Sequence, residues 1–458
     1  MSHLIERTVD LTGILQGVGF RPTLARLMAE TALGGWCRNQ SGTVRLVLRG
    51  PTQDIDLFIQ QLPQRLPIQA RLESMTTISS SSLSVEEAVG PFEILESLAS
   101  DQSRVSIPAD LAMCGDCRTE VLDPTTRYYG YAFTTCTNCG PRYTVVDGMP
   151  YDREMTALKE FPLCDECLTE YKNPLDRRFH AESIACPKCG PSLSLFDAQG
   201  NLIEGDPLRL TRQALTEGNI VAVRGLGGFL LAVDAFNTQA LQTLRERKKR
   251  PDKPFALMAR DIHTIEKYCR VSDCERELLQ SSRSPIVILE MLVNPGSEEC
   301  PELPIECLTP GQKTLGLMLP TTPLHMLLAE ALGDDPTPAF PMLVMTSGNK
   351  GGEPICLDNT DAMERLEGIA DIFLCHNRGI NLRNDDSICV SMNGHPQVWR
   401  RGRGYAPEAL FLQRPLQSVV LAMGAELKNT IALGFGSEVI LSPHIGDLEN
   451  PEAIDGME

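Results

Sequence analysis

The stretches CGDCRTEVLDPTTRYYGYAFTTCTNC (residues 114–139) and CDECLTEYKNPLDRRFHAESIACPKC (residues 164–189) are one pattern written twice, fifty residues apart. Each carries two Cys-x2-Cys pairs: Cys114/Cys117 with Cys136/Cys139, and Cys164/Cys167 with Cys186/Cys189. The gaps between successive pairs are 18, 24 and 18 residues. More than cysteine repeats: Thr119-Glu120 matches Thr169-Glu170, Pro124 matches Pro174, Arg127 matches Arg177, and Gly140-Pro141 matches Gly190-Pro191. Each copy offers four thiolates, a full tetrahedral shell for zinc with no position left for water or substrate. Two structural zinc ions are expected. Spacing alone leaves open whether each ion sits within one copy or between copies; the internal repetition favours one per copy. Tyr128, Tyr129, Arg177, Arg178 and Phe179 are residue types that contact RNA in other knuckles. With nothing basic around them, they read as packing against the zinc sites.

The rest of the chain sets bounds on what those fingers serve. Its 458 residues exceed one core and suggest three or four domains. A formal charge of -18 argues against a general nucleic-acid binder, whose footprint is basic. No run approaches the ~18 consecutive apolar residues of a membrane span, and MSHLIERTVD lacks the apolar core of a signal peptide. A cytoplasmic location is expected, where sixteen cysteines mean metal ligands and thiols rather than disulfides.

Upstream of the repeats lies ILQGVGFRP (residues 14–22), a loop between an apolar strand and a helix. Gln16, Gly17, Val18, Gly19 and Phe20 present backbone N–H groups beside the guanidinium of Arg21, a setting for a small doubly charged anion. Pro22, Leu24, Leu27 and Met28 fit the helix, and Gly34-Gly35 is expected to stop it. WCRNQ and TVRLVLRG flank Ser41-Gly42, a hairpin signal. The loop holds no Cys, Ser, His or Asp, so direct attack by water is the chemistry left to it. Such phosphoryl transfer needs charge stabilisation and a positioned water, roles that suit Arg21 with the loop amides and the carboxamide of Asn39. Taken alone, QGVGF is an ordinary strand-to-helix turn. Together with GGWCRNQSGTV it resembles the two signature stretches of the acylphosphatases, whose fold is a small α/β sandwich. The resemblance implies that Arg21 holds phosphate, Asn39 orients water, and the substrate is an acyl phosphate.

Beyond residue 205 the pattern turns to α/β: the helix-like DPLRLTRQALTEG, the buried-strand run IVAVRGLGGFLLAVDA, then TQALQTLRERKKRP. Most charge runs like RERKKRP are solvated helix faces, and RGLGG is a weak phosphate signal. Farther on come GLMLPTTPLHMLL and LVMTSGNKGGEPI, a strand entering a Thr-Ser-Gly-Asn turn, then RNDDSICV and WRRGRGYAP. KKRPDKP, TSGN and DDSICV resemble the motifs of YrdC-type domains, which are similar to threonylcarbamoyl-adenylate synthases. By that resemblance Lys248, Arg250 and Lys253 face phosphates or the carbamoyl carboxylate, Thr346, Ser347 and Asn349 line the nucleotide pocket, and Arg401 closes it. Arg403 is a further candidate.

These parts, in this order, resemble the hydrogenase-maturation carbamoyltransferases, the HypF family. The implied fold class is multidomain α+β: an acylphosphatase-like α/β sandwich (1–98), two four-cysteine zinc fingers (105–198), a YrdC-like α/β domain (205–410) and a fragment of an actin-like fold (416–458). The implied chemistry is hydrolysis of carbamoyl phosphate, ATP-dependent adenylation of the carbamate with magnesium, and transfer of the carbamoyl group to the C-terminal cysteine of a HypE-type partner. There it becomes the precursor of the cyanide ligands of [NiFe] hydrogenase. LQSVVLAMGAELKNTIALGFGSEVILSPHIGDLENPEA reads as two or three strands opening the transfer domain. The family's histidine cluster has no counterpart here, and His444 alone cannot replace it, so the chain resembles a truncated or fragmentary member. Its last 43 residues are too few for an independent core and are expected to be partly ordered or aggregation-prone. A competing reading is a zinc-containing RNA-binding module with RERKKRPDK and WRRGRG as one basic face.

Overall fold

The computed structural model describes residues 4–40, 43–67, 69–83, 90–98, 107–292, 301–333 and 335–455. The Ser41-Gly42 turn lies outside them. Two compact units emerge: residues 1–108, 135–138 and 145–189 form the first, residues 109–134, 139–144 and 190–458 the second.

In the first unit, β1 (Leu4–Ile14), β2 (Gly34–Gln40), β3 (Thr43–Pro51), β4 (Arg71–Ser82) and β5 (Phe92–Ile94) form a sheet in the order β4-β1-β3-β2-β5. Gln40 pairs with Thr43, so β2 and β3 meet as the antiparallel pair that the sequence implied. Alternation along β1 turns Ile5, Val9 and Leu11 inward. Against that face pack α1 (Phe20–Ala29) and α2 (Thr52–Gln61), burying Leu24, Met28 and Ile55. Each such side chain contributes roughly 1.5–3 kcal/mol. The helix α1 ends at Ala29, short of the Gly34-Gly35 stop expected from sequence. Thr31 ends it, its hydroxyl donating to the carbonyl of Met28 at 2.8 Å and accepting the amide of Leu33 at 3.2 Å. The two glycines instead open β2.

The second unit is built on ten strands: β6 (Leu193–Asp197), β7 (Val221–Arg224), β8 (Phe229–Asp234), β9 (Ala256–Ala259), β10 (Ile286–Glu290), β11 (Thr314–Met318), β12 (Met342–Ser347), β13 (Ile372–His376), β14 (Ile388–Met392) and β15 (His395–Arg400). Their order is β15-β14-β10-β11-β9-β12-β8-β7-β13-β6, with parallel and antiparallel neighbours mixed. The run IVAVRGLGGFLLAVDA is two antiparallel strands rather than one, turned at residues 225–228, where the amide of Gly225 donates to Gly228 at 2.9 Å. Helices Pro207–Thr216 and Thr238–Arg247 begin at Asp206 and Asn237, whose side chains accept amides of the first turn. Leu231, Val233, Leu241, Leu257, Leu317 and Val344 lie in one fully buried cluster.

Toward the C-terminus, β16 (Leu410–Phe411), β17 (Val420–Ala422), β18 (Ala432–Phe435) and β19 (Glu438–Leu441) form a separate sheet in the order β16-β19-β18-β17. Three of them fall in the stretch read as two or three strands. Val419, Leu421 and Leu427 are more than half exposed. Among the described residues from 416 on, Ala453 is the one buried hydrophobic, so this segment buries little apolar surface of its own. No described helix is long and apolar enough to cross a membrane.

Candidate functional site

The loop before α1 takes its shape from two left-handed glycines, Gly17 (φ 65°) and Gly19 (φ 76°). A side chain at Gly17 would also strike Pro108 at 2.7 Å. Gly19 caps α1, which places Arg21 in the first turn with only 7% of its surface exposed. Its Nη1 donates to the Ser97 hydroxyl at 3.4 Å. The next residue, Leu98, donates its amide to the Asn39 carbonyl at 3.0 Å, so Arg21 and Asn39 converge on one short segment. The alternation of β2 turns Cys37 and Asn39 inward. Asn39 is fully buried, and among the described residues neither its carboxamide oxygen nor its nitrogen has a hydrogen-bond partner; the side-chain oxygen of Gln16 has none either. Buried amides left open in this way suit a bound anion and water. Cys37 adds no nucleophile, because burial pushes its thiol up to about 12 against the pull of Arg21.

Local sequence held no hint of what faces Arg21. Its Nη2 reaches Asp152 at 3.2 Å and Glu182 at 3.4 Å, both from the second cysteine repeat and its approach. Glu182 is 5% exposed. Its other oxygen accepts the Tyr171 hydroxyl at 2.9 Å and the Arg153 amide at 3.1 Å. Arg153 Nη1 then donates to the carbonyls of Glu182 and Ile184, each at 2.8 Å, fixing that segment. Burial pushes the Glu182 carboxyl up to about 7, more strongly than Arg21 pulls it down. Burial likewise lowers His180 to about 4, with Arg21 adding to the effect. A signal for these residues did exist in the comparison of the two repeats. At the fifty-residue offset, Tyr171, His180 and Glu182 stand where the first copy has Val121, Gly130 and Ala132.

The eight repeat cysteines gather as Cys114, Cys117, Cys136, Cys139 and as Cys164, Cys167, Cys186, Cys189, with all four sulfurs of each set within 4.8 Å of one another. Each set therefore belongs to one copy. Sulfur separations of 3.5 Å for Cys139–Cys117 and 3.6 to 3.8 Å in the second set match the roughly 3.8 Å edge of a zinc-centred tetrahedron of thiolates. Cys114 and Cys164 take the N-cap positions of the short helices Gly115–Leu122 and Asp165–Lys172, in which the repeated Thr119 and Thr169 donate their hydroxyls to the carbonyls of Gly115 and Asp165. Tyr128, Arg178 and Phe179 are buried rather than offered to solvent.

In the second unit a cavity of about 280 Å³ opens beside the end of β12. Arg250, Lys253, Thr346 and Ser347 line it, as do Arg400 and Arg403. Lys248 is not a lining residue. It is 4% exposed, and its ammonium donates to the Ser347 carbonyl and to both the carbonyl (2.6 Å) and side-chain oxygen (2.8 Å) of Asn349. It thereby holds the Thr-Ser-Gly-Asn turn in shape. Burial, with Arg250 and Lys253 nearby, pulls its pKa down to about 7. Arg250 Nη1 donates to the Thr346 hydroxyl at 3.1 Å. Within the charge run RERKKRP, Lys248 is thus buried and Arg245 and Arg250 are half-buried against the fold, while Arg247 and Lys249 stay exposed. Asn349 and Arg401 line a neighbouring cleft, where Arg401 is tied to the carbonyls of Tyr405 and Glu408, both at 2.9 Å. Arg403, paired with Asp386 at 2.8 Å, lines the cavity itself, and Arg401 lines the adjoining cleft that shares Lys253, Ser347 and Arg400 with it. His325 was missed from sequence. It is 3% exposed and lines the cavity, its Nδ1 bonds Thr321 at 2.9 Å, and its Nε2 has no hydrogen-bond partner among the described residues.

A buried anion loop, two four-thiolate clusters and a lined α/β cavity together define a modular, multidomain chain. Family models match each part: acylphosphatase over residues 7–94, the HypF finger over 113–146 and 163–196, the domain described as telomere recombination (Sua5, YciO, YrdC) over 213–402, and the HypF Kae1-like domain over 415–458. The chain belongs to the HypF family. It is 43% identical to the carbamoyltransferase HypF2 of Cupriavidus necator, over 98% of this chain and 56% of that protein. To the carbamoyltransferase HypF of Synechocystis it is 41% identical, over 98% and 56%. A crystal structure of full-length HypF in a phosphate- and nucleotide-bound form superposes with a TM-score of 0.90 at 39% identity, covering all of this chain and 57% of that one. The chain thus spans about half the length of the curated relatives it matches.

Proposed function

We propose that this chain carries the first two steps of carbamoyl transfer in [NiFe] hydrogenase maturation. At the Arg21–Asn39 site, water attacks the phosphorus of carbamoyl phosphate in line, the P–O bond to the carbamoyl group breaks, and carbamate and phosphate leave. Arg21 and the amides of residues 16–20 hold the phosphoryl oxygens, and Asn39 orients the water. In the second unit, the carbamate oxygen attacks the α-phosphate of ATP, taken with magnesium, and pyrophosphate departs. Arg250, Lys253 and Arg403 offer positive charge to the phosphates, while Lys248 keeps Thr346, Ser347 and Asn349 in place. The carbamoyl-adenylate is the donor for the C-terminal cysteine of a HypE-type partner.

The observation that carries this reading is a buried Arg21 and a buried Asn39 both tied to the segment Ser97–Leu98, the Asn39 carboxamide having no hydrogen-bond partner among the described residues, as suits an anion and a water. The relative solved with phosphate and nucleotide bound supports two such ligands in one architecture. Carbamate decomposes quickly in water, so placing both steps on one chain favours its capture. The test is ATP–pyrophosphate exchange by the zinc-loaded chain. Exchange should require carbamoyl phosphate; exchange without it, or none with it, would sink the two-step reading.

A further inference from the structure

Resting on the hydrolase reading of the Arg21 site, we infer that Glu182, lent by the second finger, reads the amide of the carbamoyl group and sets the preference for carbamoyl phosphate over other acyl phosphates. A site that needed to hold only a dianion would gain nothing from carboxylates against Arg21, since they repel the phosphate and compete for its guanidinium. Here two carboxylates stand there, and Glu182 is the more buried. Their contacts of 3.2 and 3.4 Å are longer than the about 2.7–2.9 Å of a tight charge-assisted pair, so Arg21 is not consumed by them.

The two oxygens of Glu182 have different surroundings. One accepts Tyr171 and the Arg153 amide; among the described residues the other has only the long contact to Arg21. That second oxygen has acceptor capacity to spare at Arg21, the group that marks the ligand. Carbamoyl phosphate differs from acetyl phosphate by NH2 in place of CH3. It alone brings donors to a buried carboxylate, and a site that hydrogen-bonds a substrate N–H rejects the analogue lacking it. Within the fold Glu182 cannot drift, because Arg153 clamps its backbone and Tyr171 its side chain.

The experiment compares phosphate release from carbamoyl phosphate and acetyl phosphate by the 458-residue chain and by Glu182→Gln. Wild type should favour carbamoyl phosphate in kcat/KM by at least ~10-fold, the worth of one hydrogen bond to a charged group. E182Q should lower that preference, the ratio of the two kcat/KM values, about tenfold. Equal loss on both substrates would mean that Glu182 only positions Arg21, and would overturn the inference. Wild-type turnover with no preference would overturn it too, whether or not the variant folds. Wild type cleaving neither substrate would instead bring down the hydrolase reading beneath it.

Discussion

Replacing Lys248 by Met sets two opposed effects against each other. The ammonium is buried, and bringing a lysine from 10.5 down to about 7 corresponds to roughly 5 kcal/mol of unfavourable burial at neutral pH. Methionine matches the length of the stem and removes that penalty. It also strips the carbonyls of Ser347 and Asn349 of a donor, at ~1–3 kcal/mol each. The terms nearly cancel, so K248M should fold with a stability within ~2 kcal/mol of wild type by urea denaturation. Nucleotide affinity should not survive so well. Asn349, whose side-chain oxygen takes both Lys248 and the Ser347 hydroxyl, loses its anchor and the turn loses its form. Calorimetric titration should show ATP binding weakened at least tenfold, the worth of ~1.4 kcal/mol. The sign with pH is fixed as well. Between pH 7 and 10.5 the unfolded chain holds a proton that the folded chain has released, so wild type should gain on K248M as pH rises through that window. A folded K248M that binds ATP like wild type would refute the assignment of Lys248 as the holder of the turn.

Arg21→Ala should cut phosphate release from carbamoyl phosphate by at least about a hundredfold, as for loss of one preorganised donor to a developing anion, and spare ATP binding; a phosphate assay and titration on one sample check both. Metal analysis should return two zinc ions per chain and one for Cys186→Ser. Because a closed zinc shell contributes on the order of 10 kcal/mol to local folding, C186S should also lose acyl-phosphate hydrolysis at least tenfold while keeping ATP affinity. Unchanged hydrolysis in C186S would separate the finger from the Arg21 site.

Much of this architecture was written locally. The Cys-x2-Cys spacing, the QGVGF turn and the strand entering TSGN each describe their own neighbourhood, and each folds as its residue types dictate. What the sequence hid are contacts made across long chain separations. Glu182 reaches Arg21 from 161 residues away, and nothing near either residue announces the other. Lys248 sits in a run that looks solvated, yet acceptors about a hundred residues later take its charge indoors. The Gly34-Gly35 stop failed for a different reason: Thr31 supplied a nearer terminator, and a helix ends at the first competent one. Arg401 and Arg403 differ by two residues, and only the bend after β15 decides which faces the cavity.

The doubled finger has one more consequence. Metal coordination uses eight side chains and leaves the eighteen residues between the inner pairs of each copy free of that duty. Once the thiolates hold the frame, the intervening span becomes a socket into which new functional groups can be fitted without endangering the fold. The first copy keeps plain fillings at three of those places, Val121, Gly130 and Ala132; the second holds a phenol, an imidazole and a carboxylate, Tyr171, His180 and Glu182. Repetition here yields a division of labour between twins, one remaining masonry while the other becomes a tool.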